Sequence, residues 1–249
     1  MNQTEKVLKG KVAVVTGAGR GIGKAIALAY AKAGAYIVCA ARTAAEIEAT
    51  ADEITSMGEK AVAVQTDVSS LESVEHLFKK AAESFGGIDI LVINAGANYD
   101  RETVETSSPE DWKKTMEVNL FGAYYCAHAA VPYLKQRGSG KIITIGSGLG
   151  HRGNAGSSAY SCSKAGLWML ARILAQELWQ HKISVNELIP GPVQTSIDDH
   201  VKSDTKAAYK IEIEWQKQPE DVVPLALFLA SQPDIGPTAQ SFSLMRRDN

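Results

Sequence analysis

The chain has 249 residues, 26 of them Lys or Arg against 28 Asp or Glu, for a formal net charge of −2. This length buries a full core, and the balanced charge excludes the basic excess of a nucleic-acid binder or of a polybasic membrane-surface segment. No apolar run approaches the ~20 residues that span a bilayer, the first ten residues lack a signal-peptide core, and Cys39, Cys126 and Cys162 have neither CxxC nor metal-ligand spacing, so a cytoplasmic protein with reduced thiols and without metal, nucleic-acid or membrane partners is expected.

Short β-branched runs alternate with helical patterns along the chain. Residues 11–16 (KVAVVT) are a compact apolar run closed by Gly17, which predicts a buried strand. Helical spacing follows over 21–33, a second strand over 36–41, and a second helix over 44–57 with Gly58 as C-cap. A third strand (61–66), a third helix (71–85) and a fourth strand (88–93) continue the alternation. Ser108-Pro109-Glu110-Asp111 is a strong helix start, with an N-cap, a proline at the first helical position and acids near the positive dipole end. That pattern predicts one long helix reaching towards Lys135. A fifth strand (141–145), a helix over about 157–179 and a sixth strand (183–189) come next. Pro219-Glu220-Asp221 opens a last helix (222–229), in which Pro224 predicts a kink. Residues 240–245 are a candidate final strand.

Nearly fully apolar strands alternating with helices mean a parallel sheet covered on both faces. No linker, repeat or low-complexity tract divides the chain. Residues 1–249 therefore read as a single α/β domain of the Rossmann type, a doubly wound parallel sheet of about seven strands with helices on both faces. The irregular stretch 195–218, rich in polar residues such as Asp198, Asp199, Lys202, Ser203, Asp204 and Lys206, is expected to form a substrate lid at the carboxyl edge of the strands.

Thr16-Gly17-Ala18-Gly19-Arg20-Gly21-Ile22-Gly23 lies between the first strand and the first helix. Glycines let the backbone approach a pyrophosphate, and the helix N-terminus offers unpaired N–H groups. A glycine trio alone can be only a tight turn, but this one opens a βαβαβ series. Gly17, Gly19, Arg20, Gly21, Ile22 and Gly23 are thus candidate dinucleotide contacts.

The glycine phase resembles the TGxxxGxG turn of the short-chain dehydrogenase/reductase family. Further motifs follow in that family's order over nearly the whole chain: Asp67-Val68, Asn94-Ala95-Gly96, Asn119, Ser147 thirteen positions before Tyr160, Tyr160-Ser161-Cys162-Ser163-Lys164 as YxxxK, and Pro190-Gly191-Pro192-Val193-Gln194-Thr195. The resemblance, in particular to 3-oxoacyl-ACP reductase-like members, implies hydride transfer between NADP(H) and a carbonyl or secondary alcohol. It implies Asn119, Ser147, Tyr160 and Lys164 as the catalytic set. It also places Asp67, Val68, Asn94, Ala95, Gly96, Pro190, Gly191, Val193 and Thr195 at the cofactor, together with Tyr160 and Lys164. Asp67 would contact the adenine, the Pro190-Gly191 segment would pack on the nicotinamide, and Asn119 would anchor a water linking Lys164 to solvent.

Physical chemistry makes sense of the spacing. On a helix, Tyr160 and Lys164 share one face. A tyrosine with a pKa near ~10 becomes a better proton carrier beside an ammonium, Lys164 can hold ribose hydroxyls, and the Ser147 hydroxyl can meet charge developing on a substrate oxygen. Singly, each has a bland reading: a surface Tyr/Lys contact, a loop hydroxyl, an asparagine satisfying buried backbone. Together they point to chemistry. NAD-selective proteins of this type place an Asp or Glu at the end of the second strand for the ribose 2′-hydroxyl. Here Ala41 stands there, followed by Arg42, and Arg42 with Arg20 can pair with a 2′-phosphate. NADP(H) is the preferred cofactor, with NAD(H) as the alternative.

Four further features stand out. Cys162 reads as a small packing residue. His151 and Arg152 read as exposed loop charges, with Arg152 pairing to an anionic substrate group as the alternative. Glu187 sits inside the sixth strand, where a small apolar residue is usual, and a buried carboxylate there requires a partner that the sequence does not name. The C-terminal Thr238-Ala239-Gln240 and Leu244-Met245-Arg246-Arg247 depart from the family's Thr-Gly-Gln and Val-Asp-Gly-Gly. Apolar residues such as Leu167, Trp168, Leu174 and Leu178 exceed what one sheet face covers, which with family habit predicts a homo-oligomer, a tetramer or else a dimer. Competing readings are an NAD-preferring alcohol or sugar dehydrogenase, an epimerase or lyase of the same fold, which would have a longer chain, and a non-catalytic cofactor-binding protein, which would be expected to lose the Tyr, Lys or Ser.

Overall fold

Strand β1 (Val12–Thr16) is buried along its whole length because its two faces feed two separate cores: Val12 and Val14 point into one, Ala13 and Val15 into the other. The remaining strands are β2 (Tyr36–Ala41), β3 (Ala61–Gln65), β4 (Ile90–Ile93), β5 (Gly140–Ile145), β6 (Ile183–Ile189) and β7 (Ser241–Ser243). In this computed structural model, which describes residues 6–195, 197 and 214–245, they form one sheet in the order β3-β2-β1-β4-β5-β6-β7. Every neighbouring pair is parallel, as continuous apolar strands require.

Helices α1 (Gly21–Lys32), α2 (Ala44–Ser56), α3 (Leu71–Phe85), α4 (Pro109–Met116), α5 (Gly122–Arg137), α6 (Leu149–Arg152), α7 (Ser158–Leu178) and α8 (Val223–Ser231) complete the described elements. Val74, Leu77 and Phe78 of α3, Cys126 and Leu134 of α5, and Leu167 and Leu174 of α7 fill one core. Ile26 and Tyr30 of α1, Ile47 and Ile54 of α2, and Ala226 and Leu229 of α8 fill the other. The sheet is thus doubly wound. The strand order reverses between β1 and β4, so the crevice that such sheets use for ligands opens at their carboxyl ends. None of the helices among the described residues is long and apolar enough to cross a membrane.

Most sequence expectations fall within a residue or two of the observed elements; the exceptions have local causes. The helix expected to run unbroken from Pro109 is interrupted by a π-helical turn at Glu117–Phe121. Asn119 lies in that turn and sends its amide into a neighbouring loop, and such insertions favour functional positions. Pro224 does not kink the last helix: it lies in the first turn of α8, after a 3-10 turn at Pro219–Val222, where no intrahelical N–H is needed. The proline inside a helix is Pro132 of α5. Residues 149–152, read as loop, form α6. Leu167, Leu174 and Leu178 are buried against the sheet, and the exposed apolar side chains include Phe121, Tyr124, Met169 and Ile173. Cys162 is exposed and is not a packing residue. Burial pushes the thiols of Cys39 and Cys126 up to about 12, which leaves them inert. Of the expected lid, 196 and 198–213 lie outside the described residues, as do Arg246 and Arg247.

Candidate active site

The glycine turn is held in shape by β4. Thr16 Oγ1 donates to Val92 O at 3.2 Å and accepts from the backbone N–H groups of Asn94 and Ala95, each at 3.0 Å. Asn94 Nδ2 donates to Thr16 O at 2.8 Å and Gly17 O at 3.3 Å. Gly17 and Gly21 adopt positive φ, at 67° and 53°, which favours glycine. A side chain at Gly23 would run into Gly17 O and Asn94 Nδ2. The turn delivers the chain into α1, whose first turn carries no acidic residue and no side-chain cap. Unpaired N–H groups and the positive dipole end therefore face the crevice.

A cavity of about 260 Å³ runs from this turn along the sheet edge. Gly17, Gly19, Arg20, Gly21 and Ile22 line it at one side, Arg42, Asp67 and Val68 at the far end, and Asn94, Ala95, Gly96, Tyr160, Lys164, Pro190, Gly191, Val193 and Thr195 along the rest. The expected cofactor contacts are thus brought together. Gly23 is the exception, and acts by letting α1 approach the turn. A dinucleotide fits this lining: an acid-free helix N-terminus at the glycine turn lies between a polar far end and the Tyr160/Lys164 end. One Asp67 carboxylate oxygen is already engaged by Ser69 N and Oγ, at 3.0 and 2.7 Å. Arg42 is exposed, and its Nη1 donates to Tyr99 Oη at 3.4 Å. Glu46, which the sequence reading passed over, also lines the cavity and sits 3.7 Å from Arg20 Nη1. It lies one helical turn beyond Arg42, in the first turn of α2, which was its only signal.

At the other end, α7 presents Tyr160 and Lys164 one turn apart, with Lys164 Nζ 5.7 Å from the centre of the tyrosine ring. Lys164 is 3% exposed and donates to Ile145 O at 2.8 Å. Burial lowers its pKa to about 8, partly offset by the negative charge of Glu187. Asn119 is buried. Its Oδ1 accepts from Ala97 N at 2.8 Å, and its Nδ2 donates to Ala97 O at 2.9 Å and Ser163 Oγ at 3.0 Å. The π turn therefore ties the segment after β4 to the helix that carries Lys164. Ser147, just past β5, opens with Tyr160 into a second cavity of about 860 Å³, whose walls include Asn98, Arg101, Leu149, Arg152 and Met245. Arg152 lines this space, as the alternative reading of it required. Glu187 finds its missing partners in His151 and Ser241. Among the described residues no group of three or more His, Cys, Asp or Glu side chains could hold a metal ion.

The family model for short chain dehydrogenases matches residues 11–206. The chain belongs to the short-chain dehydrogenase/reductase family. A 3-oxoacyl-(acyl-carrier-protein) reductase of Synechocystis sp. is 36% identical over 227 residues, covering 91% of each chain. A solved short-chain type dehydrogenase/reductase from Mycobacterium marinum superposes with a TM-score of 0.88 at 34% identity, over 95% of this chain and 94% of the other. A 3-ketoacyl-ACP reductase from Sinorhizobium meliloti superposes with a TM-score of 0.85 at 35% identity, over 94% and 96%. This short-chain dehydrogenase/reductase is accordingly an oxidoreductase. Asn98, Arg101 and Met245 are among the pocket residues its sequence did not announce. Met245 lies past the end of β7, where the family's terminal motif is missing, and its sulfur occupies the space that a side chain at Gly148 would need.

Proposed function

We propose that this protein reduces the ketone of a 3-oxoacyl thioester with NADPH, as one dinucleotide-binding and catalytic unit. The observation that carries the reading is that Tyr160 lines both cavities, with Lys164 behind it and Ser147 beside it. A bound nicotinamide dinucleotide supplies the hydride. The Ser147 hydroxyl donates to the carbonyl oxygen as charge develops there. Tyr160 gives its phenolic proton to the same oxygen, and the ammonium of Lys164 favours the phenolate left behind. Lys164 also has donors beyond the one given to Ile145 O, free to hold ribose hydroxyls. Asn119 keeps Lys164 in register by fixing Ser163 and Ala97. Oxidation reverses these steps.

The substrate class draws support from the roomy second cavity and from the relatives named as 3-oxoacyl or 3-ketoacyl reductases. NADPH draws support from Ala41 and the exposed Arg42 at the end of β2. NAD(H) is the second reading, favoured by one feature: Glu46 takes up part of the charge of Arg20 and adds a carboxylate to the same pocket. The substrate-covering role of 195–218 rests on its ends, since Thr195, Ile197, Gln216 and Gln218 line the substrate cavity. A homo-oligomer is inferred from the exposed Phe121, Tyr124, Met169 and Ile173, and a cytoplasmic location from the three free cysteines.

NADPH consumption, followed by absorbance, is measured with acetoacetyl-CoA beside a panel of sugars, polyols and steroids. Turnover of the thioester above the others is expected, and turnover of a sugar alone would overturn the substrate class. Tyr160→Phe should lower kcat by ~10²–10⁴ while NADPH still binds. Near-normal kcat in that variant would remove Tyr160 from the mechanism.

A further inference from the structure

Strand β6 points Glu187 towards the face of the sheet that α7 covers. Val185, two residues earlier on that face, packs in the same core as Leu167 and Leu174 of α7. The register sets Thr144 of β5 and Ser241 of β7 on either side of Glu187. The carboxylate is 2% exposed. Its Oε2 accepts hydrogen bonds from Ser241 Oγ at 2.5 Å and, in the tautomer with a proton on Nε2, from His151 Nε2 at 2.9 Å. Its Oε1 has no hydrogen-bond partner among the described residues and fills the space that a side chain at Gly146 would need. His151 is held in turn against Trp168, with ring centres 5.0 Å apart.

A carboxylate is buried at such cost only when something compensates it. Two donors on one oxygen do so in part; the other oxygen has none among the described residues. Gly146, beside Oε1, directly follows Ile145, whose carbonyl accepts a hydrogen bond from the buried Lys164. The carboxyl end of β5 therefore carries the contacts of both a buried cation and a buried anion. The other titratable or charged groups nearby are Tyr160 and Arg172 on α7, the latter stacked over Trp168 and donating to Ala239 O, and His151 and Arg152 on α6. Between Ile142 and Ser147, β5 offers no charged side chain, and Gly96 and Asn119 on the β4 side are uncharged.

We propose that Glu187 is a positioning residue of the catalytic centre, a buried counter-charge, held by Ser241 and His151, that keeps Lys164 protonated while Tyr160 works. Burial acts in the opposite direction on Lys164, and Glu187 limits that fall. The inference rests on the reading of Tyr160 and Lys164 given above.

The test reads Lys164 directly, without cofactor or substrate. In protein carrying isotope-labelled lysine, the Lys164 resonance is assigned by its loss in Lys164→Arg and titrated by NMR. Glu187→Gln, which keeps the shape and removes the charge, should lower the Lys164 midpoint by about one unit or more. Glu187→Asp should stay nearer wild type, and the alkaline limb of kcat with acetoacetyl-CoA and NADPH should move with the midpoint. A purely structural Glu187 would lower the melting temperature of the Gln variant and leave the midpoint where it was, and that result overturns the proposal. Should Glu187→Gln not fold, Glu187→Ala removes the unpartnered oxygen as well and is read in the same way. An unchanged midpoint alongside an inactive Tyr160→Phe overturns this inference alone. A Tyr160→Phe that retains turnover overturns the catalytic reading and this inference with it.

Discussion

Lys164→Met separates what the active site costs in stability from what it supplies in chemistry. The lysine is almost wholly buried, and folding takes its pKa from the ordinary 10.5 to about 8, burial being the main cause. Because the folded value lies below the unfolded one, the unfolded chain binds more protons between pH 8 and 10.5. The penalty is therefore complete below pH 8 and is relieved as pH rises towards 10.5. At about 1.36 kcal/mol per pKa unit, it amounts to roughly 3 kcal/mol. Methionine matches the length of the side chain and adapts to irregular space, but it forfeits the hydrogen bond to Ile145 O, a loss of roughly 1.5–3 kcal/mol. At a single pH the two effects partly cancel, so the informative quantity is the change with pH. Urea unfolding of both proteins across this range should show the variant's stability, relative to wild type, falling by roughly 3 kcal/mol from neutral pH to 10.5. Groups that titrate in both proteins drop out of the difference. Turnover should be lost at every pH, an instance of stability given up for function. A difference that stays flat with pH would show that Lys164 is not a buried, charge-penalised group.

Gly23→Ala should abolish NADPH binding and destabilise the protein by ~1–3 kcal/mol, because its new methyl meets Gly17 O and Asn94 Nδ2; fluorescence titration showing wild-type affinity would refute the close approach of α1 to the turn. Ala41→Asp combined with Arg42→Ala should move the kcat/KM preference from NADPH towards NADH, and a wild type that already prefers NADH would give the decisive role to Glu46 instead. Light scattering at micromolar concentration should report an oligomer, and a monomer mass would leave Phe121, Tyr124, Met169 and Ile173 without the proposed cover.

The features legible in the sequence are those whose cause is local. A strand buried on both faces is apolar at nearly every position, so the runs of β1, β2 and β4 stand out. A turn that admits a phosphate must be glycine-rich just where a helix begins, and a tyrosine and lysine on one helical face must be four residues apart. Such constraints lie within a few neighbouring residues, which is why the glycine turn, the Tyr160/Lys164 pair and the segments that come together along one cavity were legible in the sequence. The partners of Glu187 were not legible. His151 lies 36 residues away and Ser241 lies 54 away, and only the sheet order β5-β6-β7, with α6 folded across it, brings them to one carboxylate. The π turn at Asn119 likewise answers to Ala97 and Ser163, which meet it only when α7 packs beside the end of β4. The apolar residues of α7 were visible, but which of them face the sheet depends on the rotation at which the helix docks: Leu167 and Leu174 went inward, Met169 and Ile173 outward. Local sterics and hydrogen bonding set the elements and the reactive pair. Burial, and the charges that burial forces together, exist only once distant segments share one interior.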